Sequence, residues 1–265
     1  MDRVSELKIL IRGGGEMASG IAHRLRRCHM DVMITEIEAP TAVRRTLAFA
    51  EAIYEGAQSI EGITARRAAS LAEIHLAWQR GEIPVIVDSS AAIRKQIKPA
   101  IIIDAIMAKR NLGTSIHDAA LVIGVGPGFR AGVHVHAVVE SNRGYHLGRV
   151  IWDGEAEPDT GVPAPVAGHG HDRVLRASQP GVFTAHRAIG DVVDVAEVLG
   201  SIEGVPVRAS IAGMIRGVLR SGITVRVGMK VGDIDPRLES GYCYAISDKS
   251  RAIGGGVLEA ILARY

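Results

Sequence analysis

The residues with the clearest chemical meaning lie between positions 7 and 36, where an apolar run meets a glycine turn. Gly13 permits a tight turn, Gly15 lets backbone N–H groups approach a phosphate, and Ala18 lets the following helix pack closely on its strand. Glu36 ends the next apolar run, where a carboxylate is expected to meet a ribose hydroxyl. A glycine turn also forms purely structural corners, but the flanking strands and Glu36 favour the binding of a nucleotide-type ligand.

Polar residues also follow later apolar runs. Asp88 and Asp104 each end such a run, and ligands of open α/β sheets bind beyond the carboxyl ends of the strands. Asp88 is more typical of a helix cap because two serines follow it. Asp104 is followed by Lys109 and Asn111, which we expect to contact the far side of the ligand.

A second glycine loop contains Gly126 and Gly128, and Arg130 follows it. Successive backbone N–H groups in such a loop can bind an anion, but the loop is equally consistent with a corner between two domains. His134, His136 and Glu140 lie on one face of a predicted strand, because even spacings place side chains on the same side. No third ligand is fixed by this spacing, so hydrogen bonding or a structural role is favoured and no metal site is predicted.

Three further side chains, those of Arg44, Arg45 and Cys243, each allow two interpretations. Arg44 and Arg45 are expected on a helix surface, although either could approach a phosphate. Cys243 is expected to be a small buried residue, with a sulfur-handling thiol as the alternative. No proton-transfer pair is fixed by the sequence, so no catalytic residue is predicted.

The elements that must position these residues alternate along the first half of the chain. Apolar runs predict buried parallel strands, and the patterns between them predict helices at Glu16–Arg27, 41–54 and 71–80. The predicted strands are at 7–12, 32–36, 63–66, 84–88, 100–104 and 120–125. This pattern predicts a Rossmann-type nucleotide-binding domain over residues 1–130.

After residue 130, short β-type runs separated by Gly and Pro predict a β-domain over residues 131–240. Within it, the stretch 189–235 resembles the lipoyl/biotinyl barrel-sandwich family, but its central turn at 203–206 has no lysine. A glycine turn at 254–256 predicts a terminal helix over Val257–Arg264, and we expect residues 241–265 to pack back on the first domain. The predicted fold class is therefore α/β, a Rossmann-type parallel sheet domain plus a smaller barrel-sandwich β-domain.

Composition limits the partners. The chain has 265 residues, a net charge of +2 and 4% aromatic residues, which argues against nucleic acid binding. Two cysteines without metal spacing are typical of the reducing cytoplasm, and no apolar stretch reaches the length of a membrane span. We expect a cytoplasmic protein with no membrane partner, for which a homo-oligomer remains open.

Motifs along nearly the whole chain, at 35–37, 40–46, 49–56, 61–65, 104–111, 126–129, 136–144, 232–237 and 246–259, carry a family resemblance. They resemble the selenium-dependent molybdenum hydroxylase accessory proteins, which are linked to maturation of the molybdenum cofactor. Residues 255–259, where Val257 stands in place of a cysteine, carry a more distant resemblance to xanthine dehydrogenase accessory proteins.

The resemblance implies an accessory protein that binds a molybdopterin-type dinucleotide, or a related nucleotide or pterin, during maturation of a molybdenum hydroxylase apoenzyme. An NAD-dependent oxidoreductase and a non-catalytic docking scaffold for the hydroxylase are the two alternatives. The expected ligand-binding residues are Gly13, Gly15, Glu36, Asp104, Lys109, Asn111, Gly126 and Gly128.

Overall fold

The computed structural model describes residues 7–265, which fold into two compact units. Unit 1 comprises the described residues up to Pro40, Ala48–Asp159 and Ile246–Tyr265, and unit 2 comprises Thr41–Leu47 and Thr160–Ala245. The sequence places the domain boundaries after residues 130 and 240. The structure places them after residues 159 and 245, and it assigns seven earlier residues to unit 2.

The α-helices and the first eleven strands belong to unit 1, and 3-10 helices at Arg45–Leu47 and Ser240–Cys243 belong to unit 2. The helices are α1 (Glu16–Arg27), α2 (Ala52–Glu55), α3 (Leu71–Gln79), α4 (Arg94–Ile97) and α5 (Asp248–Leu262). The strands are β1 (Lys8–Arg12), β2 (Asp31–Glu36), β3 (Ala57–Ile60), β4 (Ile63–Arg67), β5 (Ile83–Val87), β6 (Ile101–Asp104), β7 (Leu121–Val125), β8 (Arg130–Ala131), β9 (Ala137–Val139), β10 (Val150–Ile151) and β11 (Gly154–Glu155). Within residues 7–265, no helix is both long and apolar enough to cross a membrane.

Nine strands of unit 1 form one sheet in the order β10-β9-β7-β6-β1-β2-β5-β4-β3. Seven neighbouring strands run parallel, and β3 and β10 pair antiparallel at the two edges. The central strands are buried because they consist of apolar runs such as those of β1, β6 and β7. One cluster of the core joins Leu10, Met33, Ile102 and Val122 to Trp78 of α3.

Helix α5 packs against α1 within unit 1, and glycines make this close approach possible. A Cβ on Gly20 of α1 would lie 2.6 Å from the Cβ of Ser250 in α5. A Cβ on Gly256 would overlap the carbonyl oxygen of Gly148. The glycines at 254–256 are therefore interior residues of α5, and the predicted glycine turn before a short helix is wrong.

Unit 2 consists of two antiparallel sheets of four strands, in the orders β12-β19-β17-β14 and β16-β15-β13-β18. The strands are β12 (Val174–Arg176), β13 (Gly181–Ala185), β14 (Val192–Val193), β15 (Val198–Ile202), β16 (Val205–Arg208), β17 (Gly213–Val218), β18 (Thr224–Val225) and β19 (Lys230–Asp235). Register shifts interrupt the pairs β12–β19, β15–β16 and β17–β19.

The predicted fold class needs correction in both parts. The large sheet is mixed rather than parallel, because each of its edge strands runs antiparallel to its neighbour. Strand β9, expected in the β-domain, pairs parallel with β7 because its three residues are apolar and fully buried. Unit 2 also extends beyond the lipoyl-like stretch, since it includes β12, β13 and the segment Thr41–Leu47.

Candidate functional site

The carboxyl ends of five parallel strands gather most of the predicted ligand-binding residues at one edge of the sheet. Strands β1, β2, β6, β7 and β9 run in the same direction, so the residues that follow them lie along that edge. The glycine turn follows β1, Glu36 ends β2, Asp104 ends β6, and Gly126 follows β7.

Glu36 stabilises the glycine turn that follows β1. Its carboxylate accepts hydrogen bonds from the backbone N–H groups of Gly14 and Ile37, each at 2.7 Å. Burial raises the pKa of Glu36, and these two N–H groups counteract part of the rise. Gly13 has a φ of +91°, and a Cβ there would lie 3.0 Å from the Cα of Ile106. In this structure, Glu36 therefore binds the turn itself, where the sequence predicts a ribose contact.

Gly15 differs from the other two glycines of the turn. Its backbone is extended, with a φ of −69°, so the conformation does not require glycine. A Cβ built on it would meet no atom within 4 Å, so packing within the described residues does not require glycine either. Gly15 is the N-cap of α1 and supplies no side-chain hydrogen bond to the first turn. The amino end of α1 is thus left open on this side.

The loop that follows β6 is fixed by side-chain hydrogen bonds. Asp104 is buried, and its carboxylate accepts from the guanidinium of Arg12 at 3.3 Å and from the hydroxyl of Thr114 at 2.5 Å. Asn111 exchanges two hydrogen bonds of 2.8 Å with the backbone of Thr114. Asp104 and Asn111 both stabilise this loop, and their described contacts are internal to the protein.

The second glycine loop packs tightly against its surroundings. A Cβ on Gly126 would overlap the hydroxyl of Ser141, and a Cβ on Gly128 would lie 2.5 Å from the Cα of Arg110. Both glycines have a positive φ. Close packing and backbone conformation therefore account for these two glycines without a ligand.

The expected face of two histidines and Glu140 is not assembled. Nδ1 of His134 accepts from the N–H of Arg130, and Nδ1 of His136 accepts from the N–H of Val122, each at 3.0 Å. Glu140 is buried and accepts from three backbone N–H groups, those of Ser141, Asn142 and Glu157. Among residues 7–265, no three His, Cys, Asp or Glu side chains form a set that could hold a metal ion.

A corner that the sequence did not predict lies where α1 and α5 begin. The Oγ of Ser247, the N-cap of α5, donates to the carboxylate of Glu16 at 2.9 Å. Asp248 accepts two hydrogen bonds from Arg143, at 2.5 and 2.7 Å. We call Gly15, Glu16, Arg143, Ser247, Asp248 and Lys249 the α1–α5 corner.

Lys249 is the second cation of this corner, beside Arg143. It is half-buried, and its amine makes no hydrogen bond or ion pair with any of residues 7–265. Burial, followed by the charge of Arg143, lowers the pKa of Lys249, while the carboxylates of Glu16 and Glu140 counteract part of the shift. The sequence feature that could have indicated this corner is Ser247, because a serine followed by an acidic residue is typical of a helix N-cap.

Lys109, expected to contact a ligand, forms an ion pair of 2.7 Å with Asp159. Asp159 is also one of the carboxylates that act on Lys249. Lys109 therefore lies near the corner through a shared carboxylate, with its own charge already paired.

Arg44, Arg45 and Cys243 all belong to unit 2. The guanidinium groups of Arg44 and Arg45 donate to the backbone carbonyls of Tyr242 and Val218, at 2.6 and 2.9 Å. Cys243 is buried, and burial raises the pKa of its thiol, which disfavours the reactive thiolate. These contacts are structural and give none of the three a position at the α1–α5 corner.

A second polar cluster lies on β17 and β19 in unit 2. The buried carboxylate of Asp233 accepts from Arg173 at 3.0 Å, from Arg216 at 2.9 Å and from Lys230. The buried carboxylate of Asp235 accepts from Arg216 at 3.1 Å. It also accepts from Arg237 at 2.6 and 2.9 Å, and the guanidinium of Arg237 stacks on the ring of Tyr242.

Comparison with known proteins finds no matching family model. The chain is 46% identical over 254 residues to the uncharacterized protein YqeB of Escherichia coli (strain K12). The match covers 96% of this chain and 47% of that protein, so the chain spans about half the length of the curated relative it matches.

Among solved structures, the chain matches proteins of the aspartoacylase and succinylglutamate desuccinylase families. An aspartoacylase family protein from Mesorhizobium loti is 12% identical, with 86% of this chain and 85% of that chain covered and a TM-score of 0.27. A succinylglutamate desuccinylase from Silicibacter is 11% identical, with 88% and 85% covered and a TM-score of 0.26. Likenesses this low assign no activity to this chain.

These findings correct several predictions from the sequence. No family model matches and the curated relative is uncharacterized, so the assignment to the molybdenum hydroxylase accessory proteins is wrong. The mixed nine-stranded sheet and the wider extent of unit 2 overturn the Rossmann plus lipoyl-like fold class. The maturation, oxidoreductase and scaffold functions are withdrawn with the family assignment. The molybdopterin dinucleotide and NAD cofactors are withdrawn as well, and Glu36 binds the glycine turn where a ribose contact was predicted. The expected partners and oligomeric state stay predictions.

Proposed function

We propose that unit 1 binds a small organic anion, such as a metabolite carboxylate, at the α1–α5 corner. The observation that carries this proposal is the open face of Gly15 at the amino end of α1. Neither the backbone nor the packing of the described residues requires glycine there, so the missing Cβ leaves room for a ligand atom close to the helix. First-turn N–H groups and the helix dipole favour a negative charge at this position.

The charges around the corner support the same ligand class. Arg143 is paired with Asp248, Glu16 accepts from Ser247, and Lys109 is paired with Asp159. Lys249 is left as a half-buried cation whose amine contacts no carboxylate of the described residues. A bound anion would supply the acceptor that Lys249 lacks, and this contact would be little screened by solvent.

The predicted ligand-binding residues divide into two groups under this proposal. Gly15 is proposed to contact the anion, while Gly13 and Glu36 hold the turn in shape. Asp104 and Asn111 position the neighbouring loop. We also propose a cytoplasmic setting, supported by Cys28 and Cys243, which are both free thiols.

The test is Gly15→Ser, because a serine hydroxyl caps the first turn of a helix in place of an anion. We expect the free energy of unfolding of the variant to rise by about 0.3 kcal/mol, since serine is a slightly better N-cap than glycine. Affinity for pyruvate, and for inorganic phosphate as a second probe, should fall at least about tenfold, which corresponds to about 1.4 kcal/mol.

The measurement is titration followed by the amide signals of residues 15–18 in two-dimensional NMR. Gly255→Ala is the matched control, since its Cβ would have only Arg24 Nη1 nearby, at 3.9 Å, and lies within α5. A folded Gly15→Ser variant whose amide signals shift as in the unmodified chain would contradict the proposal. So would pyruvate-induced shifts that appear only outside the α1–α5 corner.

A further inference from the structure

Arg12 is a buried cation that the α1–α5 corner does not use. It is the last residue of β1 and is only 6% exposed, in a central strand where apolar residues are usual. Strand β1 pairs with β2 on one side and with β6 on the other, and the chain continues from β6 to β7 away from β2. Arg12 therefore lies where the strand order reverses, which is where open α/β sheets bind ligands.

The internal partners of Arg12 offset its burial incompletely. Its guanidinium donates to the carboxylate of Asp104 and to the carbonyl of Leu112, each at 3.3 Å, and to the hydroxyl of Thr114. Hydrogen bonds between a guanidinium and a carboxylate normally measure about 2.7–2.9 Å, so the contact with Asp104 is long. The Nε–H group is buried and has no acceptor among residues 7–265. A buried ion pair is favourable only when its geometry is good and the remaining donors are satisfied.

The loop at residues 105–113, which we call the lid, covers this guanidinium. A Cβ on Gly13 would lie 3.0 Å from the Cα of Ile106, and a Cβ on Gly128 would lie 2.5 Å from the Cα of Arg110. The lid is therefore packed against both the glycine turn and the second glycine loop. It occupies the crevice at the carboxyl ends of β1 and β6.

The lid is held in this position under backbone strain. Met107 and Lys109 both have a φ of +62°, a left-handed conformation that is unfavourable for residues with a Cβ. Lys109 is paired with Asp159, and both side chains are exposed, so solvent weakens this pair. Strain of this kind favours a second position of a loop and is common in segments that cover ligand sites.

We propose that the lid opens and that an oxyanion then binds the guanidinium of Arg12 in place of the carbonyl of Leu112. The ligand carries a phosphate or carboxylate group, because a planar guanidinium binds both with two parallel hydrogen bonds. The Nε–H group supplies one of these donors and gains the acceptor that it lacks in the closed position. This inference does not rest on the anion site proposed at Gly15.

The experiment is hydrogen exchange of the whole chain, followed by mass spectrometry of peptides that cover residues 105–113. Inorganic phosphate is the first probe and acetate the second, which distinguishes a phosphate group from a carboxylate. Sodium chloride at equal ionic strength is the reference, because salt also screens the pair of Lys109 and Asp159.

We expect the anion to speed exchange in the lid, whereas a ligand that bound the closed lid would slow it. Only the open lid exposes Arg12, so the open population rises by the factor 1 + [L]/Kd. This factor is about elevenfold at ten times the Kd of the open form. Exchange in β1 and β6 should not rise with it.

Arg12→Gln keeps a side-chain N–H donor for Asp104 but removes the charge, so the response of the lid to phosphate should disappear. Arg80→Gln, at an exposed arginine of unit 1, is the matched control and should keep the response. Gly15→Ser should also keep it, because that substitution alters the α1–α5 corner. The NMR signal of the Arg12 Nε–H group gives the same test without a substitution and should shift on titration with phosphate.

Two outcomes would overturn the inference. If neither phosphate nor acetate speeds exchange at 105–113 relative to chloride, the lid does not open for an oxyanion. If the response persists in Arg12→Gln, or if the Nε–H signal of Arg12 does not shift, Arg12 is not the binding group. The proposed anion site is tested separately, since amide shifts at residues 15–18 that persist in Arg12→Gln would leave that site standing.

Discussion

Two polar clusters, the α1–α5 corner of unit 1 and the Asp233–Asp235 cluster of unit 2, use their charges in opposite ways. In unit 2, every oxygen of the two buried carboxylates accepts from a cation or a backbone N–H group. In unit 1, Lys249 has no acceptor among residues 7–265, and Gly15 leaves the amino end of α1 open. The charges of the Asp233–Asp235 cluster are all used to hold strands together, whereas the α1–α5 corner keeps capacity for a ligand.

Asp233→Asn should have the largest effect on this comparison. Burial alone would raise the pKa of Asp233, but Lys230, Arg216 and Arg173 outweigh it and hold the pKa below its usual value. Removing the carboxylate leaves these cations without their partner, which typically costs about 3–5 kcal/mol. Hydrogen exchange of peptides covering β17 and β19 should show the loss.

The exposed Asp194 provides the control for this substitution. Asp194→Asn should change the exchange free energy by less than about 0.5 kcal/mol, as is usual for exposed sites. If the two variants exchange equally, the Asp233–Asp235 cluster does not stabilise unit 2 and the contrast with the corner disappears.

A pair of glycine substitutions tests how α5 brings Lys249 to the corner. Gly256→Ala places a Cβ against the carbonyl of Gly148 and should destabilise unit 1 by about 1–3 kcal/mol. Gly255→Ala brings its Cβ near only Arg24 Nη1, at 3.9 Å, and should stabilise unit 1 by about 0.5–1 kcal/mol, the usual difference between glycine and alanine in a helix. Unfolding followed by the fluorescence of Trp78, which is buried in unit 1, measures both. Equal effects of the two substitutions would show that α5 is not held this closely.

The smallest effect is the response of the two units to acid. Asp233 has a folded pKa below its unfolded value, so its contribution is complete above about pH 4 and is lost as the pH falls through the folded pKa. Glu36 has a folded pKa above its unfolded value, so protonation in the same range favours folded unit 1. Hydrogen exchange between pH 3 and 6 should show β19 losing protection before β1 and β2. The reverse order would contradict both assignments.

The apolar runs of unit 1 were sufficient to locate its central strands. Runs ending at Arg12, Glu36 and Asp104 form strands that end at those residues, and the predicted helix Glu16–Arg27 is confirmed. Burial on both faces leaves such strands little choice of residue type, so a local pattern is enough. The parallel edge that collects the site follows from the order of these strands.

The incorrect and missed predictions concern residues whose hydrogen-bond partners are distant in the sequence. The predicted helix over 41–54 forms only as 3-10 turns at Arg45–Leu47 and Phe49–Glu51 and as the short helix α2. Arg44, Arg45 and Thr46 instead donate to carbonyls of unit 2. The corner was missed because an unpartnered lysine is visible only after Glu16 and Ser247, 231 residues apart, have been brought together. No local pattern encodes that distance.

The chain order of the two units has a kinetic consequence. The chain enters unit 2 at Thr41, leaves it after Leu47, and returns to it for Thr160–Ala245 before α5 completes unit 1. During synthesis, the face of α1 that contacts α5 therefore stays exposed until α5 has been made, more than two hundred residues later. Such non-local closure raises the contact order and slows folding. Neither unit is complete before residue 245 has been made, so we expect them to fold after synthesis rather than one after the other during it.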